Sequence, residues 1–183
     1  AIVGKPNVGK STLMNALLGE ERLLTGDQPG ITRDAIAIDW SYKGRSIQLI
    51  DTAGMRRKSR IDEHLERLSV QDSLVAIKYA QVVVLVMDAN EPLNKQDLTI
   101  ASHVLEEGRA LIIALNKWDE ADQQTLPEVR RSLSSLLSQA KGLRLQPISA
   151  LKKKNLDELM THVLEVYQLW NTLISVSHLN RWL

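Results

Sequence analysis

Apolar residues recur along this chain in two rhythms. Leu13, Leu17 and Leu18 share one face of a helix that Gly19 is placed to end. Ile36, Ile38, Trp40 and Tyr42 alternate strictly, which predicts a half-buried strand. Lys43-Gly44 then turns the chain into a second strand over Ser46 to Asp51, together an antiparallel hairpin. Val82 to Met87, Ala110 to Leu115 and Leu143 to Ile148 read as buried strands. Helices are expected near 66–79, 95–107, 126–141 and 156–170. Three of their starts carry a cap residue with an acid three positions on: Asn94 with Asp97, Thr125 with Glu128, and Asn155 with Glu158. Residues 20–34 lack any period and contain Gly26, Asp27, Pro29 and Gly30, so they read as a loop. Alternation of strands and helices predicts an α/β fold in three layers, a mostly parallel sheet with one antiparallel edge strand and helices on both faces.

The two ends read differently. Ala1-Ile2-Val3 is shorter than a typical strand of about five or six residues, and with no initiator Met the chain is expected to be a fragment whose first strand is truncated. From Asn171 onward the apolar residues Leu173, Ile174, Val176, Leu179, Trp182 and Leu183 follow no helical or strand pattern, as in a link to a further domain that has been removed.

Composition removes whole classes of chemistry. The 183 residues contain no cysteine, which excludes disulfides, thiolate catalysis, zinc–cysteine sites and iron–sulfur clusters within the chain. The apolar runs Val82 to Met87 and Ala110 to Leu115 fall far short of the ~20 residues of a membrane helix, so no membrane partner is expected and the location is expected to be cytoplasmic. A net charge of +1 argues against a bulk polyanion-binding surface. There is no phenylalanine, so the core must be mainly aliphatic. The four histidines, His64, His103, His162 and His178, show no metal-ligand spacing.

What remains is metal and phosphate chemistry. Gly4-Lys5-Pro6-Asn7-Val8-Gly9-Lys10-Ser11-Thr12 carries the Gly-x4-Gly-Lys-Ser spacing between a strand and a helix. Glycines let backbone N–H groups converge on phosphate oxygens, and the helix N-terminus adds its positive end. Lys10 is then expected to bridge the β- and γ-phosphates and Ser11 to ligate Mg²⁺. Asp51-Thr52-Ala53-Gly54 closes the third strand, with Asp51 placed to hold Mg²⁺ through water and Gly54 to bring its N–H near the γ-phosphate. Asn116-Lys117-Trp118-Asp119 follows the strand 110–115. The Asp119 carboxylate can accept from both N1–H and the 2-amino group of guanine, and adenine would leave it unpaired. Lys117 can lay its stem along the base, Asn116 can brace neighbouring loops, and Ser149-Ala150 can offer a backbone N–H to the guanine O6. The implied ligands are GTP and GDP with Mg²⁺.

These motifs in this order, GKPNVGKS, PGITRD, DTAG, NKWD and SA, resemble those of the translation-factor-like small GTPases. The resemblance implies a P-loop G domain over residues 1–170 and assigns Thr32 to closing over Mg²⁺ and the γ-phosphate. DTAG followed by Met55-Arg56-Arg57-Lys58, with Trp118 before Asp119, is similar to the second G domain of the EngA/Der family of bacterial ribosome-assembly GTPases, which carry two tandem G domains. Ser177 to Leu183 resembles that family's entry into a KH-like domain, so 171–183 would be a linker and its start. The implied partners are the large ribosomal subunit with its rRNA and the other domains of the same chain, and not DNA. Lys10, Thr32 and Gly54 would then serve the catalytic step.

Two positions bear on mechanism. Met55 stands where many small GTPases have a water-orienting glutamine, and a thioether cannot do that work. Asn7 matches the position that, in relatives with the same loop Asn, helps hold K⁺; it either does so here with carbonyls of 20–34 or caps its own loop. The run Arg56-Arg57-Lys58-Ser59-Arg60 either meets RNA phosphates or a neighbouring domain, or is a solvated loop. Lys152-Lys153-Lys154 reads as solvated charge at a helix entry. Two rivals stand beside the hydrolysing switch: a binding module whose output is nucleotide occupancy alone, and a tRNA-modification GTPase. The latter resembles chains that end in a reactive Cys motif, and no cysteine is present here.

Overall fold

The computed structural model describes residues 1–19, 36–51, 68–122, 124–137, 140, 142–173, 175, 177 and 180–181. The expectations for Thr32, Thr52, Ala53, Gly54, Met55 and the basic run 56–60 lie outside the described residues.

The elements follow in the order β1 (Ile2–Val3), α1 (Lys10–Leu18), β2 (Ile36–Tyr42), β3 (Arg45–Asp51), α2 (Leu68–Tyr79), β4 (Val82–Asp88), α3 (Lys95–Glu106), β5 (Ala110–Asn116), α4 (Thr125–Leu136), β6 (Arg144–Pro147) and α5 (Leu156–Trp170). Four strands form a parallel sheet in the order β1-β4-β5-β6. Its central strands are apolar on both faces because helices cover both. Val84, Val86, Ile112 and Ala114 point into one core with Leu13 and Leu17 of α1 and Leu159 and Met160 of α5. Val83, Leu85, Met87, Ile113 and Leu115 point into the other with Ile77 of α2, Ile100 and Val104 of α3, and Val129 and Leu133 of α4. Among the described residues, no helix is long and apolar enough to cross a membrane.

The expected antiparallel element is present as a pair of strands. β2 and β3 pair fully with each other, from Ile36↔Asp51 to Tyr42↔Arg45, in a ladder of their own. β1 contributes two residues to the parallel ladder. Packing attaches the hairpin through Trp40 and Leu49, which enter the first core. Lys43 (φ 49°) and Gly44 (φ 76°) make its turn, with both central residues left-handed as a tight twisted hairpin requires. Its tip is tied to α5 by Tyr42 Oη donating to Asp157 Oδ1 at 2.6 Å.

Local signals were outweighed at three places. Asn94 caps α3 as expected, accepting from the Asp97 N–H at 3.0 Å. Thr125 does not cap α4 but is its first residue. The entry is a turn in which Asp122 accepts from the N–H groups of Gln124 and Thr125. Asn155 precedes α5 in a left-handed conformation (φ 60°), and its side chain donates to the Pro147 carbonyl at 3.0 Å rather than capping. The last strand, 144–147, is a half-buried edge and not a buried strand, because nothing pairs with its outer side among the described residues.

Candidate functional site

All four parallel strands end on the same side, and the loops leaving them converge there. The loop after β1 runs from Gly4 to Gly9 into α1. Gly4 (φ 146°) and Gly9 (φ 96°) hold conformations that side chains resist, and both are also crowded. A Cβ on Gly4 would lie 2.3 Å from the Val86 carbonyl oxygen, and one on Gly9 would lie 2.3 Å from Asn116 Nδ2. Gly9 is the N-cap of α1, so the positive end of the helix faces this loop, the arrangement that favours an anion. Ser11 and Thr12 are exposed at that turn, and Asn7 is exposed at φ 62°. Lys10 curls back over its own loop, its ammonium donating to the carbonyls of Gly4 (2.8 Å) and Lys5 (2.7 Å). Pro6 is partly buried, and Val8 is fully buried in the first core.

Asn116, at the end of β5, joins three loops. Its Nδ2 donates to the Val8 carbonyl at 2.8 Å and its Oδ1 accepts from the Ala150 N–H at 2.9 Å, all in a buried setting. The bracing expected of this residue is therefore present. Lys117, with φ 62°, sends its ammonium 2.5 Å from Asp88 Oδ2. Burial pushes the Asp88 carboxyl up, but hydrogen bonds from Lys117 and the Asn90 amide outweigh it and hold the group below its ordinary range. That contact raises the Lys117 ammonium in turn.

Asp119 lies across the turn that follows, with only 8% of its side chain exposed. The Ser149 hydroxyl and the Lys152 ammonium, 3.0 Å from Oδ2, lower its carboxyl to about 2. Trp118 donates its N–H to the Ile148 carbonyl at 3.0 Å, fastening the turn to the end of β6.

In this structure the backbone N–H groups of Ser149 and Ala150 are both engaged within the protein. The Ser149 N–H goes to the Lys154 carbonyl at 3.2 Å, and the Ala150 N–H goes to Asn116. Lys152 is not merely solvated charge, since it reaches the very carboxylate read as base-selecting. Asp88 and Lys152 were both missed as site residues. A polar residue closing the apolar run of β4 was a usable signal for Asp88; for Lys152 there was none.

Of the residues expected to hold the metal, Ser11 presents an exposed hydroxyl at the N-terminus of α1, and Asp51 is the last residue of β3. Among the described residues no group of three acids or histidines is assembled. This donor set fits Mg²⁺, which keeps several waters and binds through few protein oxygens together with substrate phosphates.

The model of a family described as 50S ribosome-binding GTPase matches residues 1–117. Over its full length the chain is 54% identical to GTPase Der of Mesorhizobium japonicum and to that of Brucella anthropi, and it spans 39% and 38% of their lengths. Among solved structures, Era in complex with MgGDPNP and a segment of 16S ribosomal RNA superimposes with a TM-score of 0.67 at 29% identity, over 90% of this chain and 55% of that one. A probable GTP-binding protein, EngB, superimposes with a TM-score of 0.64 over 91% of this chain and 97% of its own; at 23% identity it speaks to the fold.

Proposed function

Because the chain belongs to the family of 50S ribosome-binding GTPases, we propose that it is a GTP-binding and GTP-hydrolysing switch, and that its place is in assembly of the large ribosomal subunit. The chain spans about two fifths of its Der relatives. We take residues 1–170 as the second G domain of a tandem pair and 171–183 as the link to a further domain. Binding to rRNA or to neighbouring domains is part of the same proposal.

The observation that carries the reading is the pair of hydrogen bonds made by the Asn116 side chain. One side chain ties the phosphate loop, through Val8, to the loop after β6, through Ala150, which supports a single site formed from both loops. In this reading the N–H groups of the loop and of the first turn of α1 take the phosphates, with Lys10 moving from its loop carbonyls to the β- and γ-phosphates. Ser11 and Asp51 would hold Mg²⁺, which when bound neutralises charge on the phosphate oxygens. Thr32 and Gly54 would sense the γ-phosphate, and Asp119 would accept from N1–H and the 2-amino group of guanine. Asn7, exposed on the loop, would help hold K⁺. With methionine at position 55, turnover of the isolated chain is slow and rises with K⁺ or a partner.

Nucleotide preference tests this directly. GDP is expected to bind by at least about 10⁴ over ADP, and Asp119→Asn is expected to shift preference toward xanthosine diphosphate, because the amide can donate to a 2-oxo group. Comparable GDP and ADP affinity would overturn the base assignment. Hydrolysis compared in KCl and NaCl at equal ionic strength tests the K⁺ reading, which equal rates would remove. GTP surviving intact for hours in single turnover would favour the binding-module reading.

A further inference from the structure

Besides Lys10, the lysines Lys5, Lys117 and Lys152 stand near the site, and two of these three pair with acids other than Asp119. Lys5 pairs with Glu91 at 3.4 Å and Lys117 with Asp88. Lys152 alone of the three reaches Asp119, at 3.0 Å from Oδ2. Its backbone is fixed: Ser149 and Lys154 exchange both backbone hydrogen bonds, and the Lys152 N–H donates to the Ser149 hydroxyl oxygen at 3.1 Å. The side chain is not fixed in the same way. It is 54% exposed, against 8% for the carboxylate it touches, so the ammonium can move into water at little cost while Asp119 cannot.

A purine edge that donates from two adjacent positions needs both carboxylate oxygens facing it. Ser149 already gives Asp119 one hydroxyl donor, and a carboxylate has only about four lone-pair positions, not all of them in the plane of the base. We propose that Lys152 is an affinity-determining residue: its ammonium competes with the guanine edge for Asp119, so binding of the base requires it to leave Oδ2. The anchored 149–154 turn returns it to the carboxylate when the base departs, which favours nucleotide release. This inference rests on Asp119 being the base-selecting group.

The test uses a fluorescent GDP analogue with the wild type, Lys152→Met and Lys152→Arg, measuring Kd and dissociation rate in low and high NaCl. Removal of a half-exposed ion pair is expected to tighten GDP binding in the Met variant by about two- to fivefold at low salt, mostly through slower dissociation. Salt weakens the competing pair, so the ratio of variant to wild-type affinity should approach one in high NaCl. Lys152→Arg keeps a donor on the same stem and should behave as wild type. A Met variant that binds GDP no tighter than wild type at low salt, or whose advantage persists unchanged in high salt, overturns the proposal while leaving the base assignment standing. Failure of the wild type to prefer GDP over ADP overturns both.

Discussion

The two halves of the site are built from different materials. On the phosphate side, the loop 4–9 makes its surface from backbone, with glycines where the chain approaches Val86 and Asn116 too closely for any Cβ. On the base side, the functional side chains are each already engaged by another group of the protein: Asn116 with the Val8 carbonyl and the Ala150 N–H, Lys117 with Asp88, Asp119 with Ser149 and Lys152. The backbone half tolerates almost no change in shape. The side-chain half can lose one contact at a time, and it is where affinity and base choice can be adjusted. Asn116 belongs to both halves.

The largest effect should follow from breaking the backbone half where it meets that residue. Gly9→Ala places a Cβ 2.3 Å from Asn116 Nδ2 at φ 96°, adding about 1–3 kcal/mol of backbone strain to the loss of the bonds that Asn116 must give up on moving. Nucleotide binding should disappear and the unfolding free energy fall by several kcal/mol, read by calorimetry and chemical denaturation. An alanine variant that binds GDP normally would show that the loop is not shaped by this contact.

A smaller loss is expected from Asn116→Ala, which leaves the loop's own geometry intact. It strands the Val8 carbonyl and the Ala150 N–H in a buried setting, at about 1–3 kcal/mol for each group that water cannot reach. The signature is coupling: phosphate-side and base-side affinities should both fall, so that GDP and inorganic pyrophosphate weaken together. A defect confined to the base would separate the halves and break the comparison.

The difference between the halves also explains what was legible beforehand. The phosphate loop could be found because backbone geometry dictates residue type at fixed spacing, and Gly4, Gly9, Lys10 and Ser11 occupy the positions that geometry requires. The central strands were legible because burial on both faces leaves Val82 to Met87 and Ala110 to Leu115 almost wholly apolar. Asn116 could be anticipated as a brace, since an amide closing a buried strand has both a donor and an acceptor to satisfy. Lys152 could not. Three successive lysines look alike in sequence, and it is the folded turn that brings Lys152 to Asp119. Asn155 misled for a related reason: the Pro147 carbonyl offered its amide a tertiary partner in place of the local cap.

The smallest effect should come from the base side's outer pair. Lys117→Met keeps an apolar stem but removes the ammonium from Asp88. Lys117 is about one-third exposed and Asp88 less so, so the loss of stability near pH 7 should be no more than about 1 kcal/mol. Its pH dependence carries more information than its size. Asp88 is held below its ordinary range in the folded chain, so the contribution is present above the unfolded carboxyl value near 4 and is lost as pH falls through the folded value. Lys117 is raised, so the same contribution is present below the unfolded ammonium value near 10.4 and is lost as pH rises past the folded one. Urea unfolding of wild type and variant should therefore differ by a constant amount between about pH 5 and 9 and converge on the acid side. A gap that stays open after Asp88 is protonated would mean that the Lys117 ammonium contributes through something other than its pair with Asp88, and the comparison of a charge-tuned base side with a shape-bound loop would lose this support.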